Sequence, residues 1–281
     1  MGVGYTYDTL IDNPSARRHL LNYTKESIER LNKERLKVAD RLAALMITTL
    51  KEEQRIAVEE AAEYLRFGVG RRLSVMRYCL NTVFDLFPPQ EVKPLRSEQL
   101  NVVQISLQAF VINLSGIFDN FAWAFVLQHG LHLKELADKR GDPDRMKIGM
   151  FSPATQAFLP AELLAWSTDT QIKVWQTDYL KSYRDALAHR IPLYIPPSRL
   201  TEAEARRFGE METREIELIE GHQFDELDEL RAERDALGMS YPVYLETPRG
   251  RKVMLHPQML CDGLTVLEFG ELFFKHWHIR R

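Results

Sequence analysis

Ile105–Leu127, ISLQAFVINLSGIFDNFAWAFVL, is the stretch on which the fold turns. It is about as long as a bilayer requires and almost continuously apolar. Yet it carries Gln108, Asn113, Ser115, Asp119 and Asn120. An ionised aspartate near the middle of a lipid-exposed span costs a few kcal/mol. The segment therefore reads as the central buried helix of a water-soluble helical protein, and a cytoplasmic location with no membrane partner is expected. Upstream, Leu100, Val103, Leu107, Phe110, Leu114 and Ile117 recur at helical spacing, with Ser97 as the expected cap.

The rest of the chain supports a mainly α fold. From about residue 15 to residue 50, Leu31, Val38, Leu42, Leu45 and Thr49 form one stripe, and charged residues cover the opposite face. A helical pattern continues from Glu52 to about Arg66, Gly68 and Gly70 permit a bend, and Pro88 and Pro89 stop the next helix. Residues 131–168 form a mixed connection, with turn chemistry at 139–144 and a short extended piece at 147–151. A helix is expected over 168–188, with Ile172, Trp175, Tyr179, Tyr183 and Leu187 on one side; Pro192 ends it near His189 or Arg190. Residues 198–256 hold an acidic helical stretch, a solvated face or flexible insertion, and then a β-hairpin over 241–255. The last helix runs from about Pro257 to Trp277, with Leu260, Leu264, Leu267 and Phe274 on its buried side. The expected architecture is thus a single helical domain over 1–281, a helical bundle with a small β-hairpin near the C-terminus.

Charge and cysteine usage narrow the chemistry. A net charge of -3 makes the whole chain a poor general trap for nucleic acid, although a local basic surface is compatible with that average. Cys79 and Cys261 lie in separate helices without CxxC spacing, so reduced buried thiols are expected. The start of the chain lacks the pattern of a signal peptide, and Gly2 with Thr6 formally fits a myristoylation pattern. There is no GxxxxGK[ST] loop, no GxGxxG after a strand, no GxSxG and no HExxH, which removes the common phosphate-loop, dinucleotide, hydrolase and zincin readings. His129 with His132 and His276 with His278 lack a third ligand at a recognisable spacing, so no metal and no cofactor is expected.

The residues that remain are Arg184 and His189. Five positions apart on an ideal helix, they point about 140° apart. The break before Pro192 would let His189 swing back toward Arg184, with Asp185 and Tyr183 flanking the arginine and Arg190 following the histidine. The pair Arg251 and His256 repeats the same spacing in a hairpin strand, where that context is lacking. Asp119 and Asn120, polar inside an apolar helix, need partners, a cleft or an interface.

Arg184, the polar Asp185 and His189 at the end of an amphipathic helix resemble the Arg-x(4–6)-His motif of the HEPN superfamily, and Asp119 or Asn120 matches that family's acidic or amide residue on an earlier helix. The resemblance implies a metal-independent endoribonuclease acting in toxin, defence or stress responses. It would work as a homodimer on RNA, with an antitoxin or regulatory protein as a further partner. His189 would move the 2′-OH proton, Arg184 would stabilise the charged transition state, Asp185 and Tyr183 would orient them, and Asp119, Asn120 and Arg190 would contact substrate. The alternative is a non-catalytic HEPN-like protein that dimerises or binds a partner or nucleic acid.

Overall fold

The computed structural model describes residues 23–247 and 250–279. The Gly2–Thr6 pattern and the start of the first expected helix lie outside them. Eleven α-helices, two π-helical turns and one short 3-10 turn are formed by the described residues, with a two-stranded hairpin as their sheet. The fold is mainly α with a small β-hairpin near the C-terminus.

Two compact units are distinguished. One comprises Glu34–Asn81, Leu107–Pro192 and Met259–Arg281. It contains most of α1 (Lys25–Glu53), α3 (Arg71–Leu86), α4 (Ser97–Gln128) and α11 (Leu255–His276), and all of α2 (Glu59–Glu63), α5 (Pro153–Gln156), α6 (Ala161–Thr168), α7 (Thr170–Val174) and α8 (Ser182–His189). Within it, the four long helices form a closed cycle. Arg35 on α1 donates to Asn81 on α3, and Arg77 donates to the Ala39 carbonyl. Arg72 on α3 bonds Asn113 and Asn120 on α4. Phe121 on α4 packs on Phe269 and Phe273 of α11. Gly263 and Gly270 on α11 lie against Val38 and Leu45 of α1, where added Cβ atoms would approach within 2.8 and 2.6 Å. The bundle expectation holds for this unit.

The α4 helix is the one described helix long and apolar enough to cross a membrane, and 61% of its most apolar window is buried within the chain. Its apolar residues are consumed on more than one side. Phe121 and Phe125 are fully buried, and Phe118 meets Phe151, Trp166, Trp175 and Phe269 at ring distances of 5.2 to 5.9 Å. The expected stripe from Leu100 to Ile117 is buried throughout, as is the α1 stripe from Leu31 to Thr49.

Several expectations are corrected. The helix beginning at Glu52 is instead the end of α1, a break, α2 and a π-helical turn over Tyr64–Gly70 that contains both glycines. Gly68 serves a close approach there, since a Cβ would come within 2.7 Å of Asn120. The helix expected over 168–188 begins at Thr170, capped by Asp169, whose carboxylate accepts from the Gln171 and Ile172 amides. It then widens into a second π-helical turn over Trp175–Lys181. Residues 147–151 are turns, not an extended piece. In α11, Phe269 and Phe273 hold the buried side with Leu260 and Leu267, and Trp277 just beyond its end is buried too, while Leu264 and Phe274 are half-buried.

A buried carboxylate fixes the second π turn. Asp262 on α11 is 1% exposed; its Oδ1 accepts from Trp175 Nε1 at 3.0 Å and its Oδ2 from Tyr179 Oη at 2.6 Å. Burial raises the Cys79 thiol to about 11 and, with Asp262 adjacent, the Cys261 thiol to about 12, so both resist ionisation.

The other unit comprises the described residues up to Lys33, Thr82–Ser106 and Leu193–Gln258. The acidic stretch is ordered as two helices, α9 (Glu202–Glu220) and α10 (Phe224–Asp235), which excludes the flexible-insertion reading. A capping box between Thr201 and Glu204 starts α9, and Glu215 bonds both Arg231 and Arg234 across the pair. The Ser97 hydroxyl, expected to cap α4, donates to Asp235 at 2.7 Å. Strands β1 (Val243–Tyr244) and β2 (Val253–Met254) pair antiparallel. The motif copy ends in a structural histidine in the first turn of α11, which begins at Leu255. His256 is fully buried, its Nε2 donates to the Phe87 carbonyl at 2.5 Å, and its Nδ1 therefore accepts from Tyr23 Oη at 3.0 Å.

Replacing Asp262 by Ala leaves a phenol and an indole without their acceptor and should lower unfolding free energy by about 2–4 kcal/mol, read from the urea midpoint. Burial holds the His256 imidazole down at about 4, whereas the unfolded chain takes up that proton near 6.5. Stability should accordingly decline as pH falls from about 6.5 to about 4, by about 3 kcal/mol in total, and the loss should level off below. Denaturation of His256→Gln across that window should show a shallower pH dependence than the native chain.

Candidate functional site

A pocket of about 260 Å³ opens in the first unit between α4, the 146–152 turns and the second π turn with α8. Ser115, Phe118 and Asp119 come from α4; Ile148, Gly149, Phe151 and Ser152 come from the turns; Gln176, Leu180, Lys181 and Arg184 complete the wall. The turns are held by Thr155, fully buried, whose hydroxyl donates to the Lys147 carbonyl and accepts from the Gly149 amide. The far wall is held by the Asp262 clamp: Trp175 and Tyr179 face α11, which leaves Gln176, Leu180 and Arg184, each four residues on from the last, facing the pocket.

The sequence-derived site residues separate into groups. Asp119 and Arg184, from distant parts of the chain, line the same pocket. Asp185 orients Arg184: one carboxylate oxygen accepts from the arginine Nε at 2.9 Å and Nη2 at 2.6 Å. That bond, with Lys181 and Arg190 nearby, holds the Asp185 carboxyl below its ordinary value. Tyr183 is buried with its ring edge on Tyr179, 5.0 Å between centroids, so it supports the helix from behind. Arg190 reaches back along α8 to the Ser182 carbonyl.

Asn120 faces elsewhere. Its amide oxygen accepts from Arg72 Nε at 2.6 Å and its side chain packs on Gly68, so it joins helices. His189 is exposed and is not among the residues lining the pocket. It is the last helical residue, and the backbone becomes extended only at Arg190, with φ -129° and ψ -151°. The expected swing of His189 back toward Arg184 does not occur, and the two remain about 140° apart around the helix and about 7.5 Å apart along it.

Arg72 and Lys181 are site features that the sequence reading left unassigned. Arg72 lies over α4 and acts on Asp119 from beside the pocket. Asp119 has surface open to solvent within the concavity, yet the surrounding protein still desolvates it. Desolvation raises its carboxyl above the ordinary value, and the positive charges of Arg184 and Arg72 pull it back. Two cations, Lys181 and Arg184, and one carboxylate thus meet in the recess, with Arg72 beside it, which suits a ligand bearing negative charge and hydrogen-bond donors.

Three of the four candidate metal-binding histidines have protein partners. His129 Nε2 donates to the Trp277 carbonyl at 2.8 Å, and His276 and His278 approach Glu162 and Glu52.

Removing the Arg184 charge should raise the Asp119 titration midpoint further, because that charge opposes desolvation. Carboxyl-carbon NMR titration of the native chain and Arg184→Gln measures this directly, and an unchanged midpoint would refute the coupling. No family model, curated protein or solved structure matches the chain.

Proposed function

We propose that the protein is a metal-independent endoribonuclease of HEPN type, acting as a homodimer on cytoplasmic RNA, with Arg184 and His189 as its reacting groups. The observation that carries this reading is the meeting of Asp119 and Arg184 in one pocket, with Asp185 fixing the guanidinium and His189 exposed on the same short helix. Arginine keeps its charge at any physiological pH and offers a planar fork to a phosphate. Asp185 occupies Nε and Nη2 of that fork, which leaves Nη1 for the substrate.

In the reaction, His189 removes the proton from a ribose 2′-OH. The 2′ oxygen forms a bond to the adjacent phosphorus, and the phosphorus–5′-oxygen bond breaks. The leaving oxygen takes a proton from water, giving a 2′,3′-cyclic phosphate and a 5′-OH, and the proton held by His189 returns to solvent. Arg184 stabilises the extra charge on the non-bridging oxygens during the exchange. Because His189 and Arg184 leave one helix in different directions, two copies that pair about α8 are the proposed active arrangement, each histidine serving the arginine of the other copy.

The outward position of His189 also favours a second reading, RNA binding without cleavage. Incubation of the purified protein with mixed RNA in EDTA separates the two. Cyclic phosphate ends should appear, His189→Ala should slow cleavage by about 10²–10⁴-fold with RNA binding retained, and Arg184→Ala should weaken both. Equal cleavage by the native protein and His189→Ala would end the nuclease proposal; RNA retention without cleavage, lost in Arg184→Ala, would establish the second reading.

A further inference from the structure

Resting on the reading of this pocket as the RNA site, we propose that it is a guanine subsite, seating one unstacked guanine base of a single-stranded RNA with the Asp119 carboxylate on its Watson–Crick edge. Four observations lead there. The volume, about 260 Å³, lies below the roughly 300–1,000 Å³ of pockets for drug-sized ligands and suits a single base. Its floor includes an aromatic ring: Phe151 is half-buried and offers its open side to a flat ring, backed by the buried Phe118, whose ring stands 5.5 Å away and inclined by 53°. Lys181 and Arg184 supply cations beside that floor, where the phosphate of the same nucleotide would lie. Asp119 faces the recess and, among the described residues, receives no hydrogen bond.

The carboxylate decides which base fits. An ionised carboxylate only accepts, through two oxygens side by side. Guanine alone among the four RNA bases presents two adjoining donors, N1–H and the N2 amine, on its Watson–Crick edge. In adenine and cytosine the amine adjoins an unprotonated ring nitrogen, and in uracil N3–H is flanked by carbonyls. Each of these sets an acceptor against the carboxylate, which is repulsive in a recess partly shielded from water. Gln176 and Ser115 remain as donors for the guanine carbonyl.

The subsite is tested by binding, independently of cleavage. The full chain is titrated calorimetrically in EDTA with GMP, IMP, AMP, CMP and UMP. GMP should bind at least tenfold more tightly than AMP, CMP or UMP, with IMP, which lacks the N2 amine, intermediate. Asp119→Asn places an amide donor toward the base and should abolish the preference. Gly149→Leu provides a second variant without change of charge, because a Cβ there already reaches 3.6 Å from Asp119 Oδ1 and a longer side chain fills the recess. It should lose GMP binding while keeping its thermal midpoint. Equal or absent binding of all five nucleotides, or a GMP preference that survives Asp119→Asn, overturns the subsite. GMP selectivity without RNA cleavage upholds the subsite and refutes the nuclease; cleavage of RNA at all four bases without GMP selectivity does the reverse.

Discussion

The guanidinium of Arg72 lies where any side chain on Gly116 would have to be: a Cβ there would fall 2.4 Å from its central carbon. Asn113 and Asn120, three residues before and four after that glycine, accept its hydrogen bonds. One stripe of α4 is thereby committed to holding an arginine from α3. Partial burial costs the guanidinium solvation and makes its charge harder to keep, and the Asp119 carboxylate on the next position of α4 offsets that cost. The same cation steadies Asp119 in the pocket. A packing contact between two helices and the electrostatics of the candidate site are consequently one arrangement, and the glycine that permits it is part of both.

The opposite wall follows the same logic with the signs reversed. Asp262 is a buried carboxylate satisfied by two neutral donors, Trp175 and Tyr179. It ties the π-helical turn to α11 and sets the direction in which the following residues point. π turns are frequent at functional sites, and the extra residue re-aims side chains within and beyond the turn. Here the re-aimed residues are Gln176, Lys181 and Arg184, which supply much of the pocket's polarity. Asp185 then spends one carboxylate oxygen on two nitrogens of Arg184, so the cation is oriented without being sealed off.

Much of this was legible in the residues. Binary pattern located α1, α4 and α11; Pro192 ended α8 within a residue; and the polar residues inside Ile105–Leu127, Asp119 above all, argued against a lipid-facing span. Asp119 and Arg184 were both picked out, one as a polar group inside an apolar helix and the other from its motif. The π turns also left a trace. Ala61, Leu65, Val69 and Leu73 are all buried, and Trp175, Tyr179, Tyr183 and Leu187 repeat the same spacing of four. In an α-helix each such step drifts by about 40°, so three in succession cannot stay on one face unless the helix widens. That signal lies in the sequence, and over a short window it resembles ordinary amphipathicity.

The residues by themselves therefore determined the helical class, the positions of the long helices and the chemical candidates, because those depend on spacing along one chain. Tertiary structure decided which candidates meet. Asn120 turned to Arg72 while its neighbour Asp119 turned to Arg184, a difference of one helical position, about 100°. His189 stayed helical and pointed outward, although its place before Pro192 suggested a return. Such choices depend on which neighbour lies within a few ångströms across the bundle, and local periodicity carries no record of that distance.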